Sequence, residues 1–318
     1  MNTEVLITDF TNPTLLFFIL GIIAHVIKSD LEIPENSFKF ISLYLLFSIG
    51  FKGGQELQHS EIDGQMMGAL FMGIFISAMI PLYTFFILKR KLAISDAGAI
   101  AASYGSVSAV TFVAAVSFLE VQGMNYDGYM VAVMAFMEFP AIIVGVLLIR
   151  KFDHQEVNGS IKKLVHHAFS NGSVLLLMGS LFIGIIADSK QAEDIKPFTT
   201  DIFKGFLALF LLEMGITTAR RFSGFMKNGP FLLLFALLVP IFNGCVVALL
   251  SKYLLDDIGN QFILTILAAS ASYIAVPAAM RLAAPKADPG IYIPMALGVT
   301  FPLNITLGMP LYFAILCC

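Results

Sequence analysis

The chain has 318 residues, 58% of them hydrophobic and 13% charged, with a mean hydropathy of +0.86. A soluble domain carries about twice that charged fraction, so a water-soluble enzyme or nucleic-acid-binding module is excluded and an all-α polytopic membrane protein is expected. The formal net charge of −3 decides little; where the charges fall matters more.

At about 20 residues per membrane helix, the length leaves room for about ten spans. The first is expected from about Pro13 to Ile27, followed by a charged loop, Lys28 to Glu35. The second covers about Ser37 to Gly53, and His59, Glu61 and Asp63 mark the next loop. The third runs from about Gln65 to Leu88, carries Pro81 and stops at Lys89-Arg90-Lys91. The fourth, about Ile94 to Phe118, has a small, hydroxylated centre from Ala101 to Thr111. The fifth, about Gly128 to Leu148, contains Glu138-Phe139-Pro140. Arg150 to His167 is polar and reads as a linker too short to fold alone. The sixth to tenth spans follow at about Ser173–Ala187, Phe198–Ala219, Pro230–Leu254, Gln261–Ala283 and Gly290–Leu316. The ninth returns to the theme of the fourth in Ala268-Ala269-Ser270-Ala271-Ser272-Tyr273, with Pro277 just beyond. No cleavable signal peptide is expected, because Met1 to Asp9 carries Glu4 and Asp9 and lacks a basic run. Cys245, Cys317 and Cys318 have no metal-ligand spacing.

The halves repeat. Gly21-Ile22-Ile23 matches Gly184-Ile185-Ile186, each after an asparagine, Asn12 or Asn171. Ile49-Gly50 matches Met214-Gly215, Ala101-Ala102-Ser103 matches Ala268-Ala269-Ser270, and Phe139-Pro140 matches Phe301-Pro302. The shared order predicts two repeats, 1–149 and 171–318, joined by a cytoplasmic linker, 150–170. Five spans per repeat place the halves in opposite orientations, with spans 4 and 9 as interrupted helices that cross. Lys28, Lys39, Lys89, Arg90, Lys91, Arg150, Lys151, Lys162, Lys163, Arg220, Arg221, Lys227, Arg281 and Lys286 fall at loops after odd-numbered spans. The other basic residues are Lys52, Lys190, Lys196, Lys204 and Lys252. The positive-inside rule then puts the first set in the cytoplasm and both termini outside.

The two hydroxylated stretches yield the candidate substrate site: Ser103, Gly105, Ser106, Ser108 and Thr111 with Ser270, Ala271, Ser272 and Tyr273. Small residues admit backbone or ligand, and freed N–H groups need a partner in hydrocarbon, which a small anion supplies. The plainer alternative is a tight helix crossing whose hydroxyls bond back to their own helices. Glu138 is a carboxylate at mid-span, costly unless it faces protein, water or a cation; it reads as a cation ligand, a proton carrier or a buried anchor. Glu213 lies where Arg220 or Arg221 could pair with it. Asn243 and Asn304 are intramembrane amides, the second placed to bond backbone groups of a broken helix or to join helices.

Four motifs go further: Gly105-x-Val107-Ser108-x-x-Thr111 with Ala114-Ala115; Phe136-Met137-Glu138-x-Pro140-Ala141; Ala268-Ala269-Ser270-x-Ser272; and Pro277-x-x-x-Arg281 with Pro285-x-Ala287-x-Pro289. In these the chain resembles the SbtA-type sodium-dependent bicarbonate transporters, as a non-cyanobacterial branch, over nearly its whole length. The resemblance implies a core and a gate region, and bicarbonate uptake coupled to Na+ as a transported ion. It also implies a homotrimer in the inner membrane and a PII-like cytoplasmic regulator. With sodium as coupling ion, Glu138, Ser108, Ser272 and Asn304 are the candidate ligands. The family pattern carries an acidic residue after its second serine pair, where this chain reads Tyr273-Ile274-Ala275-Val276-Pro277-Ala278. The linker, Lys151 to His167, is also shorter than in cyanobacterial members.

The expected function is secondary transport of bicarbonate or a similar small anion with sodium. The alternative is a proton-coupled carrier of another small organic anion, with Glu138 carrying the proton. An intramembrane enzyme is disfavoured: no catalytic pairing lies at membrane depth, and the one histidine near a span is His25.

Overall fold

The computed structural model describes residues 13–58, 63–153, 172–225 and 229–318, and all regular structure among them is helical. Asn12, His59, Glu61, Lys162, Lys163, Asn171, Lys227 and most of the expected linker lie outside the described residues. The helices are α1 (Pro13–Val26), α2 (Glu35–Gln58), α3 (Gly64–Leu88), α4 (Ile94–Gly105), α5 (Ala109–Val121), α6 (Tyr129–Phe152) and α7 (Gly172–Ile186). There follow α8 (Ser189–Lys196), α9 (Phe203–Phe225), α10 (Pro230–Ser251), α11 (Ile258–Ala269), α12 (Ala275–Ala283) and α13 (Pro289–Cys317). The last contains π-helical stretches at Met295–Thr300 and Asn304–Gly308. Six helical segments are long and apolar enough to cross a membrane among the described residues, beside shorter apolar helices such as Leu175–Ile186 and Ile258–Ala269. The protein is a multi-pass membrane protein.

Local chemistry sets many of the helix starts. Asp63, Asp188, Asp257 and Asp288 cap α3, α8, α11 and α13, their carboxylates accepting from first-turn N–H groups such as Met66 (2.8 Å) and Gly259 (2.7 Å). These donors have no partner within the helix. Pro230 and Pro289 occupy first-turn positions, where a missing N–H costs nothing.

Several boundaries differ from the sequence reading: α6 runs to Phe152, into the expected linker, and α9 to Phe225, past Ala219. The second helix runs on to Gln58, past the expected stop at Gly53. There Gln55 Nε2 donates to the Gly184 and Ala187 carbonyls at the end of α7, so this polar turn gains partners by staying helical. The expected seventh span, from Phe198, instead begins with a π turn at Pro197–Asp201, preceded by the polar helix α8, and continues as α9.

The helices pack as two groups. In the first, here called the panel, α1 lies along α9 and α2 along α7. In the second, the body, α3, α4 and α6 pack together, as do α10, α11 and α13. Glycines set the separation inside the panel. A Cβ on Gly21 of α1 would overlap the Leu212 carbonyl of α9 and lie 3.0 Å from Gly215 Cα. One on Gly54 of α2 would overlap the Leu181 carbonyl of α7 and lie 2.8 Å from Gly184 Cα. Lipid tails are as apolar as leucine, so close backbone contact is what draws such helices together. Exposed Phe71 and Phe75 on α3, and Leu238 and Phe242 on α10, face outward as lipid-facing side chains do.

The two ends of the molecule differ in charge. At one end Gln65 pairs with Asp256 (2.6 and 3.1 Å) and Asp127 with Asn260 (2.8 and 2.6 Å). At the other, the Asp288 N–H donates to Asp96 (2.8 Å), and Lys89 sits over the Phe152 ring at 4.0 Å. The segments at this second end carry Lys89, Arg90, Lys91, Arg150, Lys151 and Lys286; it is called the basic end below.

Candidate functional site

Both hydroxylated stretches break their helices. α4 ends at Gly105 and α5 begins at Ala109; α11 ends at Ala269 and α12 begins at Ala275. Ser106 (φ −85°, ψ 168°) and Ser270 (φ −83°, ψ 170°) leave the helix by the same extended turn. By chain geometry Ser270 therefore corresponds to Ser106, three residues beyond Ser103, the residue that sequence similarity pairs with it. Gly105 is where the first break meets α3: a Cβ there would overlap the Pro81 ring and approach the Ser77 carbonyl at 2.9 Å.

The breaks cross and bond to each other. The Ser272 N–H donates to the Ser103 carbonyl (2.8 Å), and Ser103 Oγ donates to the Ser272 carbonyl (2.5 Å). The Ser108 N–H donates to Ser270 Oγ (3.0 Å), which itself donates to the Leu267 carbonyl (2.8 Å). Ser108 Oγ caps α5 by accepting from the Thr111 N–H at 3.2 Å. These bonds satisfy backbone that the breaks free within hydrocarbon. Ser106 Oγ is buried with no hydrogen-bond partner among the described residues.

Beside the crossing lies a cavity of about 40 Å³, lined by Ser108, Ser272, Tyr273 and Glu138 together with Val107, Ala109, Met134, Ile274, Leu46 and Leu177. It holds roughly three water-sized groups, at 10–15 Å³ each. Glu138 is half-buried and has no hydrogen-bond or ion-pair partner among the described residues. It alone carries a charge among the lining residues, so the cavity offers hydroxyls, one carboxylate and an apolar remainder. Tyr273 reaches across to the panel, its hydroxyl 3.8 Å from Met214 Sδ on α9.

The structure thus brings Glu138, Ser108, Ser272 and Tyr273 to one cavity, while Ser103 and Ser270 hold the crossing together behind it. Gly105, Ser106, Thr111 and Ala271 are buried around the breaks and do not line the cavity. Asn304 serves elsewhere: its amide donates to the Ala269 carbonyl (2.8 Å), the end of α11, and its Oδ1 faces the Tyr312 hydroxyl at 3.4 Å. Asn243 joins helices, accepting from the Tyr83 hydroxyl at 2.5 Å. Glu213 accepts from Thr217 at 2.9 Å. Leu46 and Leu177, the panel's share of the cavity, carry no signal in the sequence, where they are two leucines among many.

Comparison with known families decides what kind of protein has this geometry. A family profile described as the Na+-dependent bicarbonate transporter superfamily matches residues 13–317. The chain belongs to that superfamily. No curated protein matches the chain. As a member of the Na+-dependent bicarbonate transporter superfamily, the protein is a membrane transporter and not an enzyme, and the crossed breaks are the candidate transport site. The donors there suit sodium: hydroxyls, a carboxylate and unwound backbone carbonyls are oxygen ligands of the kind that hold it at membrane depth. Among the described residues no group of three or more His, Cys, Asp or Glu side chains gathers to hold a metal.

Proposed function

We propose that this protein imports bicarbonate or a similar small anion together with sodium, both passing through the cavity at the crossed breaks. The observation that carries this reading is Glu138, a carboxylate with no partner among the described residues that lines the cavity with Ser108, Ser272 and Tyr273. An anion arriving about 5 Å from an ionised Glu138 meets a repulsion of about 3 kcal/mol at an effective dielectric constant of 20. A cation must enter with it. Sodium held by Glu138, Ser108 Oγ and Ser272 Oγ removes that repulsion, and the anion then takes free N–H groups at the start of α5 and α12.

This reading carries its architecture with it: ten spans as two inverted repeats of five, the breaks at spans 4 and 9, and the basic end in the cytoplasm. The equal lengths of α4 and α11 and the matching turns at Ser106 and Ser270 support the repeat. The homotrimer, the inner-membrane location and the PII-like regulator follow from the sequence resemblance and are proposed on that basis. The lone carboxylate also fits a second reading, in which a proton on Glu138 neutralises it and the cargo is another small organic anion.

The test is uptake of labelled bicarbonate into proteoliposomes, driven by a sodium gradient or by a proton gradient alone. Sodium-driven uptake is expected. Uptake indifferent to sodium and dependent on a proton gradient rejects sodium coupling in favour of the second reading.

A further inference from the structure

A second cavity, of about 300 Å³, opens between panel and body toward the end opposite the basic one. Ile49 and Lys52 of α2, Asp201 of the π turn and Lys204 of α9 stand in its panel wall; Val116 and Glu120 of α5, with Tyr126, form its body wall. It lies on the same seam as the 40 Å³ cavity. On α5, Ala109 lines the first cavity, and Val116 and Glu120, seven and eleven residues on along the same helical stripe, line the second. At 1.5 Å per residue these lie about 10 and 16 Å further out. On α2, Leu46 lines the first, and Ile49 and Lys52 line the second, about 5 and 9 Å further out. The larger cavity is thus placed as the outer approach to the site.

An ion pair spans the walls of this approach. Lys204 Nζ of the panel lies 2.9 Å from Glu120 Oε2 of the body. The Lys52–Glu56 pair, at 4.0 Å, is by contrast a contact within α2. Tyr126 stays a neutral phenol, since burial, and then the charges of Glu56 and Glu120, push its pKa above the ordinary value. Lys204 and Glu120 remain partly open to solvent, with side-chain exposures of 67% and 38%. A pair so exposed contributes little, which suits a contact that must break and re-form in every cycle.

We propose that Glu120–Lys204 is the outer latch of the transporter: it holds panel to body across the mouth of the approach and opens when the seam parts. The inference rests on the transport reading in two respects: that panel and body move against each other, and that the basic end faces the cytoplasm.

The test starts from protein in which Cys245, Cys317 and Cys318 are replaced by serine. Glu120→Cys with Lys204→Cys, joined by a short bifunctional thiosulfonate in proteoliposomes, is expected to lose sodium-driven bicarbonate uptake more than ten-fold. Reductant should restore it, and each single cysteine should be unaffected by the reagent. Uptake by the joined protein equal to that of the reduced protein overturns the latch. A second readout needs no cargo: the rate at which a membrane-impermeant maleimide labels Val116→Cys. That rate should rise about two- to five-fold in Lys204→Gln, the factor an exposed ion pair supplies. It should return toward the starting value when Glu120→Lys and Lys204→Glu are combined. A rate that ignores both changes overturns the proposal. Labelling that follows the charges in a protein taking up no bicarbonate would retire bicarbonate as the cargo and leave the latch standing.

Discussion

Glu138 concentrates the chemistry of this protein in one side chain. It lines the cavity with no partner among the described residues, and an unpaired charge in hydrocarbon costs on the order of 3 kcal/mol or more. A residue kept only for packing would not carry that cost. Glu138→Gln keeps the shape and removes the charge, so sodium-driven uptake per folded molecule is expected to fall at least ten-fold, while the folded amount after detergent extraction stays near that of the parent. Fewer folded molecules, each transporting normally, would make Glu138 a structural anchor. Tyr273 is the complementary case. It lines the same cavity at the break where the family resemblance leads one to expect an acid. Tyr273→Asp adds a negative charge next to the proposed cation position, where scarce water leaves charge–charge attraction strong. The half-saturating sodium concentration for uptake should drop, by roughly three- to ten-fold for an interaction of about 0.7–1.4 kcal/mol. An unchanged or higher value would place the cation away from Tyr273. Both positions were legible in the sequence, because a carboxylate or an interrupted hydroxylated run stands out against an apolar background. Asn304 shows the limit: the sequence marks a buried amide, and only the fold assigns it to the Ala269 carbonyl.

Among the elements, the pairing of α1 with α9 depends on two glycines facing each other. A Cβ at Gly215 would overlap the Phe18 carbonyl and sit 3.0 Å from Gly21 Cα, backbone that cannot swing aside as a side chain could. Gly215→Leu should therefore push α1 away and lower the melting temperature of the purified protein, with a cost of about 1–3 kcal/mol or more, as for overpacked cores. Gly205 lies on the same helix, and a Cβ there meets nothing within 4 Å, so Gly205→Leu should leave the melting temperature unchanged. Equal lowering by the two substitutions would mean that the close contact is not what is being read, since helix propensity favours leucine over glycine at both positions. At this scale the sequence located most helices well, since hydropathy and the aspartate caps are local signals. It missed the continuation of α2 to Gln58 and the polar helix α8. The first depends on carbonyls of α7 that accept from Gln55, and the second falls in a polar stretch without apolar periodicity.

For the whole molecule, the sequence by itself determined the class: a multi-pass, all-helical membrane protein with two interrupted helices and a carboxylate at mid-span. Solvation dictates these features residue by residue. Twenty apolar residues have one low-energy environment, and a small hydroxylated run inside them has few uses. What only the tertiary structure decided is which surfaces meet. Helices such as α3 and α10 are apolar on both their buried and their outward faces, so periodicity does not reveal the inward side. Partners are chosen by how closely backbones fit, at Gly21 against Gly215 and Gly54 against Gly184. That fit divides the molecule into panel and body, brings Leu46 and Leu177 opposite Glu138, and sets Lys204 against Glu120. Each of these pairs is distant in sequence, and shape complementarity leaves no mark on composition.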